Sequence, residues 1–259
     1  MDSGLKRIIS RLIITALVLI ALAGIAWCFV GVNLSFHDLL AHKEHGWKTL
    51  KQFWPPDWSI RDQAIVSMVA TLQMAVVGTV LGAVIALPIS FFAARTTSLV
   101  RGLSSVIKTV MNVFRATPIV VYAIVLTSMV GLGKQTGTLA IAVGTFVMLT
   151  KLYAEALESI SPGPVEAVRS VGGSTPQVFV YGMLPQVFPN YISTTLYAFE
   201  LNLQASFILG FVGAGGIGYD ILNYTRMFDW HKLCTILIIT VVIVNLVDFI
   251  SYRIRAALA

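Results

Sequence analysis

Charge is scarce in this chain of 259 residues: 12% are Asp, Glu, Lys or Arg, where a soluble domain carries about a quarter. That shortage excludes water as the solvent for most of its surface. Cysteine is nearly absent. Cys28 and Cys234 each lie in or beside an apolar run, which excludes a disulfide framework and leaves no metal-ligand spacing. Gly133-Lys134 is no phosphate loop, because Gln135 stands where Ser or Thr would hold Mg²⁺ and the upstream glycine is missing. The chain is therefore expected to bind no ATP or other cofactor itself. Gly213-Ala214-Gly215-Gly216-Ile217-Gly218 fits G-x-G-x-x-G, but it follows an apolar run and lacks the βαβ setting of a dinucleotide site. A membrane enzyme would want a nucleophile–base pair, and none stands out. His37, His42 and His45 share one polar stretch with spacing too loose for a metal, and His231 is alone elsewhere. The net charge of +6 falls mostly between apolar runs, where it sets topology rather than recruiting nucleic acid.

What is plentiful is hydrocarbon: 57% of residues are hydrophobic and the mean hydropathy is +0.83. Apolar runs cover residues 12–32, 68–94, 113–132, 136–153, 185–212 and 233–252. A bilayer crossing takes about 20 residues, so the expected fold is all-α integral membrane with about six transmembrane helices. Three parts are read: an N-terminal anchor helix over 1–32, an extracytoplasmic surface loop or helix over 33–63, and a membrane core over 64–259. The basic start and Ala21-Leu22-Ala23 also fit a cleaved signal, but the run stays apolar well past Ala23, which favours a retained anchor. Phe36, Leu39, Leu40, Trp47 and Leu50 have the spacing of a helix on the membrane surface, ended by Trp54-Pro55-Pro56-Asp57-Trp58. Pro88 and Pro118 are expected inside spans, and Gly78 and Gly82 form a small-xxx-small pair. With the N-terminus cytoplasmic, the inside segments hold Lys6, Arg7, Arg11, Arg95, Arg101, Lys108, Arg169, Arg253 and Arg255. That modest bias places both termini inside.

The segment after the fourth run carries the most information. Pro164 opens a helix, Glu166 sits near its positive end, and Val165, Val168 and Val171 or Gly172 fall on one face. Gly172 and Gly173 then stop it. The residues alone leave two readings: a connecting loop with a helical turn, or a short helix whose apolar ridge seats in a groove of a partner. Within the fifth run, Glu200, Asn202 and Gln204 are polar residues that must face the bundle interior or a water-filled cavity. Arg115, at the start of the third run, is a possible partner for Glu200. It either snorkels to the headgroups or draws anionic cargo along a pathway, whereas Glu200 would repel an anion and is assigned to structure or gating.

Glu166-Ala167-Val168, then Gly172, then Leu184-Pro185 resembles the Glu-Ala-Ala…Gly…Leu-Pro loop of bacterial ABC importer permeases. Val168 replaces the usual alanine, and Gly182 stands where a large aliphatic residue is usual. Trp54-Pro55-Pro56-Asp57-Trp58, Lys151-Leu152-Tyr153-Ala154-Glu155-Ala156, Pro162-Gly163-Pro164-Val165-Glu166 and Tyr181-Gly182-Met183-Leu184-Pro185-Gln186 look like the phosphonate permeases in particular, from about Phe53 onward. The resemblance implies an ATP-driven importer for phosphonate, phosphite or phosphate in a bacterial inner membrane. It implies a short cytoplasmic coupling helix between the fourth and fifth spans, with Glu166, Ala167, Arg169, Gly172 and Gly173 meeting the ATPase. The partners it implies are a second copy of the chain, two ATP-binding cassette subunits holding ATP and Mg, an extracytoplasmic solute-binding protein and the lipid bilayer. Gly213, Gly215, Gly216 and Gly218 match a glycine cluster after the family's fifth span, and with Arg115, Glu200, Asn202 and Gln204 they are pathway or gate candidates. Cargo would arrive at outer loops over residues 213–229. An importer of another solute, such as an amino acid, is the rival within the class. An ion-coupled secondary transporter is the rival outside it, weakened because no paired broken segments are seen in two halves.

Overall fold

Residues 68–94 read as one uniform apolar run, yet the helix that holds most of them, Arg61–Ala93, is two-faced and sorted by side-chain size. Ala64, Met68, Thr71, Ala75, Gly78, Gly82 and Ala86 are buried, while Val66, Val69, Val77, Val80, Val84 and Leu87 are exposed. Lipid is as apolar as leucine, so burial is decided by how closely helices approach, and small residues win the interior. The computed structural model describes residues 3–32, 43–97 and 102–258. Its helices are α1 Ser3–Gly31, α2 Lys43–Gln52, α3 Arg61–Ala93, α4 Leu103–Arg115, α5 Ile119–Val130, α6 Lys134–Glu158, α7 Pro162–Ser170, α8 Leu184–Leu209, α9 Gly216–Arg226 and α10 Trp230–Leu258. Phe36, His37, Leu39, Leu40, His42 and Arg101, given roles above, lie outside the described residues.

Two compact units divide the chain, Met1–Gln52 and Phe53–Ala259. In the first, α1 is apolar, long enough to span a membrane and exposed along its length from Arg11. Of the expected surface helix, the described part forms as α2, with Trp47 and Leu50 exposed and Lys51 over the Trp47 ring.

In the second unit, four helical stretches are long and apolar enough to cross a membrane: Trp58–Ala93, Lys134–Glu158, Thr175–Ala214 and Trp230–Ala257. The third expected crossing departs from expectation. It is not one helix with Pro118 inside, but α4 and α5 bent by 85° with Pro118 capping the second. Proline lacks an N–H and drives the residue before it out of the helical region, so the turn at 116–118 breaks the ladder. Alone α5 is too short: 12 residues at 1.5 Å each reach about 18 Å of a roughly 30 Å core. The pair still climbs the bundle. Lys108 binds Glu158 and Asn112 meets Lys151 on α6, then Ile119 lies beside Gly144, and Leu132 reaches Gly213 at the opposite end.

Close approach holds α3 to α6. A Cβ on Gly78 would fall 2.7 Å from Cβ of Ile141, and one on Gly82 would fall 2.7 Å from the Ala142 carbonyl. Between α6 and α8 the rings of Tyr153 and Tyr191 stack at 4.2 Å, and the Tyr153 hydroxyl donates to Thr195 Oγ1. At one end of the unit, Glu158 accepts from Lys108 Nζ at 2.7 Å and from the Arg95 N–H at 2.7 Å, while Ser104 Oγ donates to the Ala93 carbonyl. At the other end the Trp54–Trp58 turn is tied to the start of α10. The Asp57 N–H donates to the His231 carbonyl, Thr235 Oγ1 donates to the Asp57 carbonyl, and His231 Nδ1 lies 2.8 Å from the Pro55 carbonyl. A carbonyl only accepts, so His231 carries its proton on Nδ1 and serves structure. The hydrogen bond from Ser59 holds the Asp57 carboxyl below its usual range, and Lys232 does the same for Asp229.

Candidate functional site

At the Glu158 end the loop between α6 and α8 folds as a unit. Ser161 caps α7, and Pro162 rather than Pro164 takes the first helical position. The stop is built as the glycines foretold. The Gly172 N–H donates to the Arg169 carbonyl at 2.9 Å and the Gly173 N–H to the Val168 carbonyl at 3.0 Å, the paired bonds of a Schellman turn. Gly172 has φ +81°, and a Cβ on Gly173 would fall 2.7 Å from Val168.

The ridge of α7 faces differently from the expectation. Val165 and Val168 do not point toward a partner; they pack on Val178, Phe179 and Met183 of the chain's own π-helical turn, Val178–Met183. The turn comes close because residue 182 is glycine: a Cβ there would lie 3.1 Å from Cα of Val165. The departure at Gly182 is thus the contact that seats α7. Gln186, one turn on, accepts from the Ser161 N–H at 3.0 Å and donates to the Gly182 carbonyl at 2.6 Å, fixing where α7 begins. The outward face is then Glu166, Ala167, Arg169, Ser170, Val171 and Gly172, all exposed, with Val171 at 85%.

At the opposite end the glycine cluster splits into two tasks. Gly213, Gly215 and Gly216 have φ of +92°, +79° and +71°, and they reverse the chain after α8. Gly218 is there for contact, because a Cβ on it would overlap the Phe207 carbonyl oxygen. Facing it is Gly210, whose Cβ would fall 2.7 Å from Cα of Gly218. The region expected as outer loops is mostly α9, whose start is held by Thr71 Oγ1 accepting from the Ile217 N–H at 2.9 Å.

The polar residues of α8 go to three different places. Asn202 is buried and donates to Thr79 Oγ1 at 2.8 Å and to Thr145 Oγ1 at 2.7 Å, so one amide ties α8 to α3 and α6. Glu200 does not pair with Arg115. Its Oε1 lies 2.7 Å from Nη1 of Arg255 on α10, an ion pair without an aligned hydrogen bond. Gln204 is exposed. Arg115 is exposed as well and ends α4 beside a cavity of about 100 Å³ lined by Thr117, Tyr122, Gly144 and Met148. Met148 lies ten residues before Glu158 on α6, about 15 Å along the helix. The four α8 and α4 candidates therefore form no single cluster.

The description of binding-protein-dependent transport system inner membrane components matches residues 86–259, which take in the loop, the broken crossing and the glycine cluster. The chain belongs to that family. It is a membrane permease, and the comparisons with individual proteins agree. It is 34% identical over 241 residues to the putative phosphite transport system permease protein HtxC of Stutzerimonas stutzeri, covering 93% of this chain and 85% of that one. It is 43% identical over 117 residues to the putative cryptic phosphonate transport system permease protein PhnE2 of Escherichia coli K12, covering 45% of this chain and 96% of that one. In fold it is similar to a chain of the methionine ABC transporter MetNI in an inward-facing form, with a TM-score of 0.70 at 24% identity over 78% of this chain and 99% of that one.

Within this permease, several residues of structural weight gave little sign in sequence. Thr79 and Thr145 look like ordinary span threonines until Asn202 is placed between them. Gln186 follows the Leu184-Pro185 pair, and no local pattern marks its bonds to Ser161 and Gly182. The Asn202 clamp gives a direct expectation. Interhelical hydrogen bonds in membrane bundles are worth about 0.6–1.7 kcal/mol each, so Asn202→Ala should cost about 1–3 kcal/mol. A lowered midpoint of thermal unfolding in detergent checks this, and an unchanged midpoint refutes the clamp.

Proposed function

We propose that this permease imports phosphonate or a related phosphorus oxyanion, phosphite or phosphate, driven by ATP hydrolysed on separate subunits. The observation that carries the reading is the 34% identity to a phosphite permease across 93% of the chain. Two copies would enclose the pathway, each docking one ATP-binding cassette subunit, which holds ATP and Mg while this chain binds neither. The exposed face of α7, from Glu166 to Gly172, is the docking surface, and Gln186 and Gly182 transmit its movement to α8. A solute-binding protein delivers cargo at the end formed by the Trp54–Trp58 turn and α9. Both termini lie in the cytoplasm of a bacterial cell.

Arg115 fits an anion pathway better than the headgroup region. It lies about 15 Å up α6 from Glu158, at the helix ends where α4 and α5 break apart. Discontinuous helices place such ends at transport sites. Arg115→Gln should slow uptake about tenfold or more, the worth of one charge-assisted hydrogen bond, with assembly intact. Wild-type uptake would return Arg115 to a snorkelling role.

The reading is tested in proteoliposomes holding the permease, its ATPase and its binding protein. Uptake of phosphite, phosphate and 2-aminoethylphosphonate is compared with that of D-methionine, because methionine permeases are more distant relatives, the MetP protein of Bacillus subtilis at 27% identity among them. ATP-dependent uptake of a phosphorus anion supports the assignment. Uptake of methionine alone, or pumping with no ATPase present, overturns it.

A further inference from the structure

Beside the coupling loop, the structure contains two adjoining cavities, one almost wholly apolar and one of mixed lining. One, of about 580 Å³, is walled by Leu87, Phe91, Leu157, Phe179, Leu184 and Tyr191, with Thr175 and Pro176 of the loop at its edge. The other, of about 250 Å³, is bounded by Thr96, Thr97, Arg169 and Gly173 with Val178 and Met183. Phe91, Thr175 and Phe179 line both, so the two are neighbours. The larger one is within the 300–1,000 Å³ typical of ligand sites, at about the middle of that range.

Among the described residues the smaller chamber has two sets of unspent side-chain donors, the Arg169 guanidinium and the Thr175 hydroxyl. Thr96 Oγ1 donates to the Leu157 carbonyl and Thr97 Oγ1 to the Phe91 carbonyl. The Gly173 N–H is spent on Val168. Arg169 has no ion pair and no side-chain hydrogen bond among the described residues, and no carboxylate lines either chamber. An unpaired guanidinium beside an aromatic, aliphatic cavity is matched by an amphiphile with an anionic head. Its five donors in a planar fork suit a phosphate. A small hydrophilic oxyanion would leave the apolar chamber unused, so transported cargo is a poor occupant.

We propose that these chambers bind an anionic phospholipid, with an acyl chain between α3 and α8 and the headgroup phosphate on Arg169. The position suits a bilayer lipid: α3 ends here at Ala93 and α6 at Glu158, which marks one margin of the spanning region. The occupant would lie between the spans and the loop that contains α7, so the loop would be set by the lipid as well as by Gln186. The site is independent of which solute the permease carries.

Lipid retention tests the site without any transport assay. The permease with its ATPase subunits is incubated in detergent with equal amounts of phosphatidylglycerol and phosphatidylcholine, then washed, and lipid per permease is counted by mass spectrometry. One basic residue near a phosphate is worth about 1 kcal/mol, so phosphatidylglycerol should be retained about fivefold over phosphatidylcholine. Arg169→Gln should bring the ratio near one while lipid is still held; lipid is counted per permease, so the readout stands even where this variant, which also borders the docking face, binds less ATPase. Leu87→Trp fills the apolar chamber and should reduce retention of both lipids, with the complex still monodisperse. Equal retention of the two lipids by the wild type, or an unchanged ratio in Arg169→Gln, overturns the proposal. Displacement by glycerol phosphate, which has no acyl chain, would make this a simple anion site and overturns it too. So does efficient cross-linking of Leu87→Cys between copies, which would make the cavity a seam filled by the second copy.

Discussion

Gly218→Ala should leave little folded permease in the membrane, although it adds a single methyl group. The end of α8 and the start of α9 cross with their backbones touching. A Cβ on Gly218 would occupy the position of the Phe207 carbonyl oxygen, and Gly210 faces it with the same lack of room. Backbone atoms cannot rotate aside as a side chain does, so the helices must separate. That separation would pull α9 from Thr71, whose hydroxyl accepts from the Ile217 N–H, and would open the packing of Ile217 against Met68 and Leu203. Overpacking a tight interior costs about 1–3 kcal/mol and sometimes more. Here the obstacle is backbone, so about 3 kcal/mol or more is expected, a large part of a typical stability. Gly24→Ala is the control, because nothing lies within 4 Å of a Cβ there. It should be neutral or slightly stabilising, as glycine within a helix costs about 0.5–1 kcal/mol relative to alanine. The check is yield and thermal midpoint in detergent. Equal midpoints for Gly218→Ala and Gly24→Ala would show that the crossing is looser than described.

These two glycines show where sequence reading reaches and where it stops. Long apolar runs located the spans, since the cost of unpaired backbone in lipid leaves few alternatives to helix. The glycine stop after α7 was legible because a Gly-Gly pair at a helix end has one common use. Hydropathy, however, is blind to which face of a span is inside. In α3 the most hydrophobic residues face outward and the small ones inward, so Val80 and Gly82 exchange the roles a soluble protein would give them. The same blindness joined 113–132 into one span, although Thr117-Pro118 breaks it: its first three residues end the amphipathic α4, which carries Lys108 and Asn112, and most of the rest is α5. Long-range partners were not legible at all. Glu200 meets Arg255 and not Arg115, a pairing fixed by how α8 and α10 cross rather than by any local pattern. The ridge of α7 was read correctly as apolar, but its neighbour was in the same chain, because Gly182 cleared the space for it.

Gly172→Val is expected to separate stability from transport. Gly172 has φ +81° and open space around it, so the substitution meets no clash and acts through backbone conformation alone. A β-branched residue disfavours that region strongly, and the left-handed conformation costs L-residues about 1–2 kcal/mol. The turn at Gly172 is exposed and a Cβ there touches nothing, so the thermal midpoint of the bundle should hardly move. What changes is the geometry of the turn. The two bonds to Arg169 and Val168 would weaken, and the face carrying Glu166, Ala167 and Arg169 would no longer be presented in one orientation. If that face docks the ATPase, a cost of about 1–2 kcal/mol lowers the competent population by about 5–30-fold. Uptake and ATPase co-purification should both fall by that factor. Gly172→Asn supplies the discriminating control, because asparagine enters the left-handed region with less strain and should retain most activity. The order Gly, then Asn, then Val in uptake, at constant midpoint, identifies turn geometry as the cause. Normal uptake by Gly172→Val would mean that α7 is an ordinary connector and that the ATPase grips the permease elsewhere.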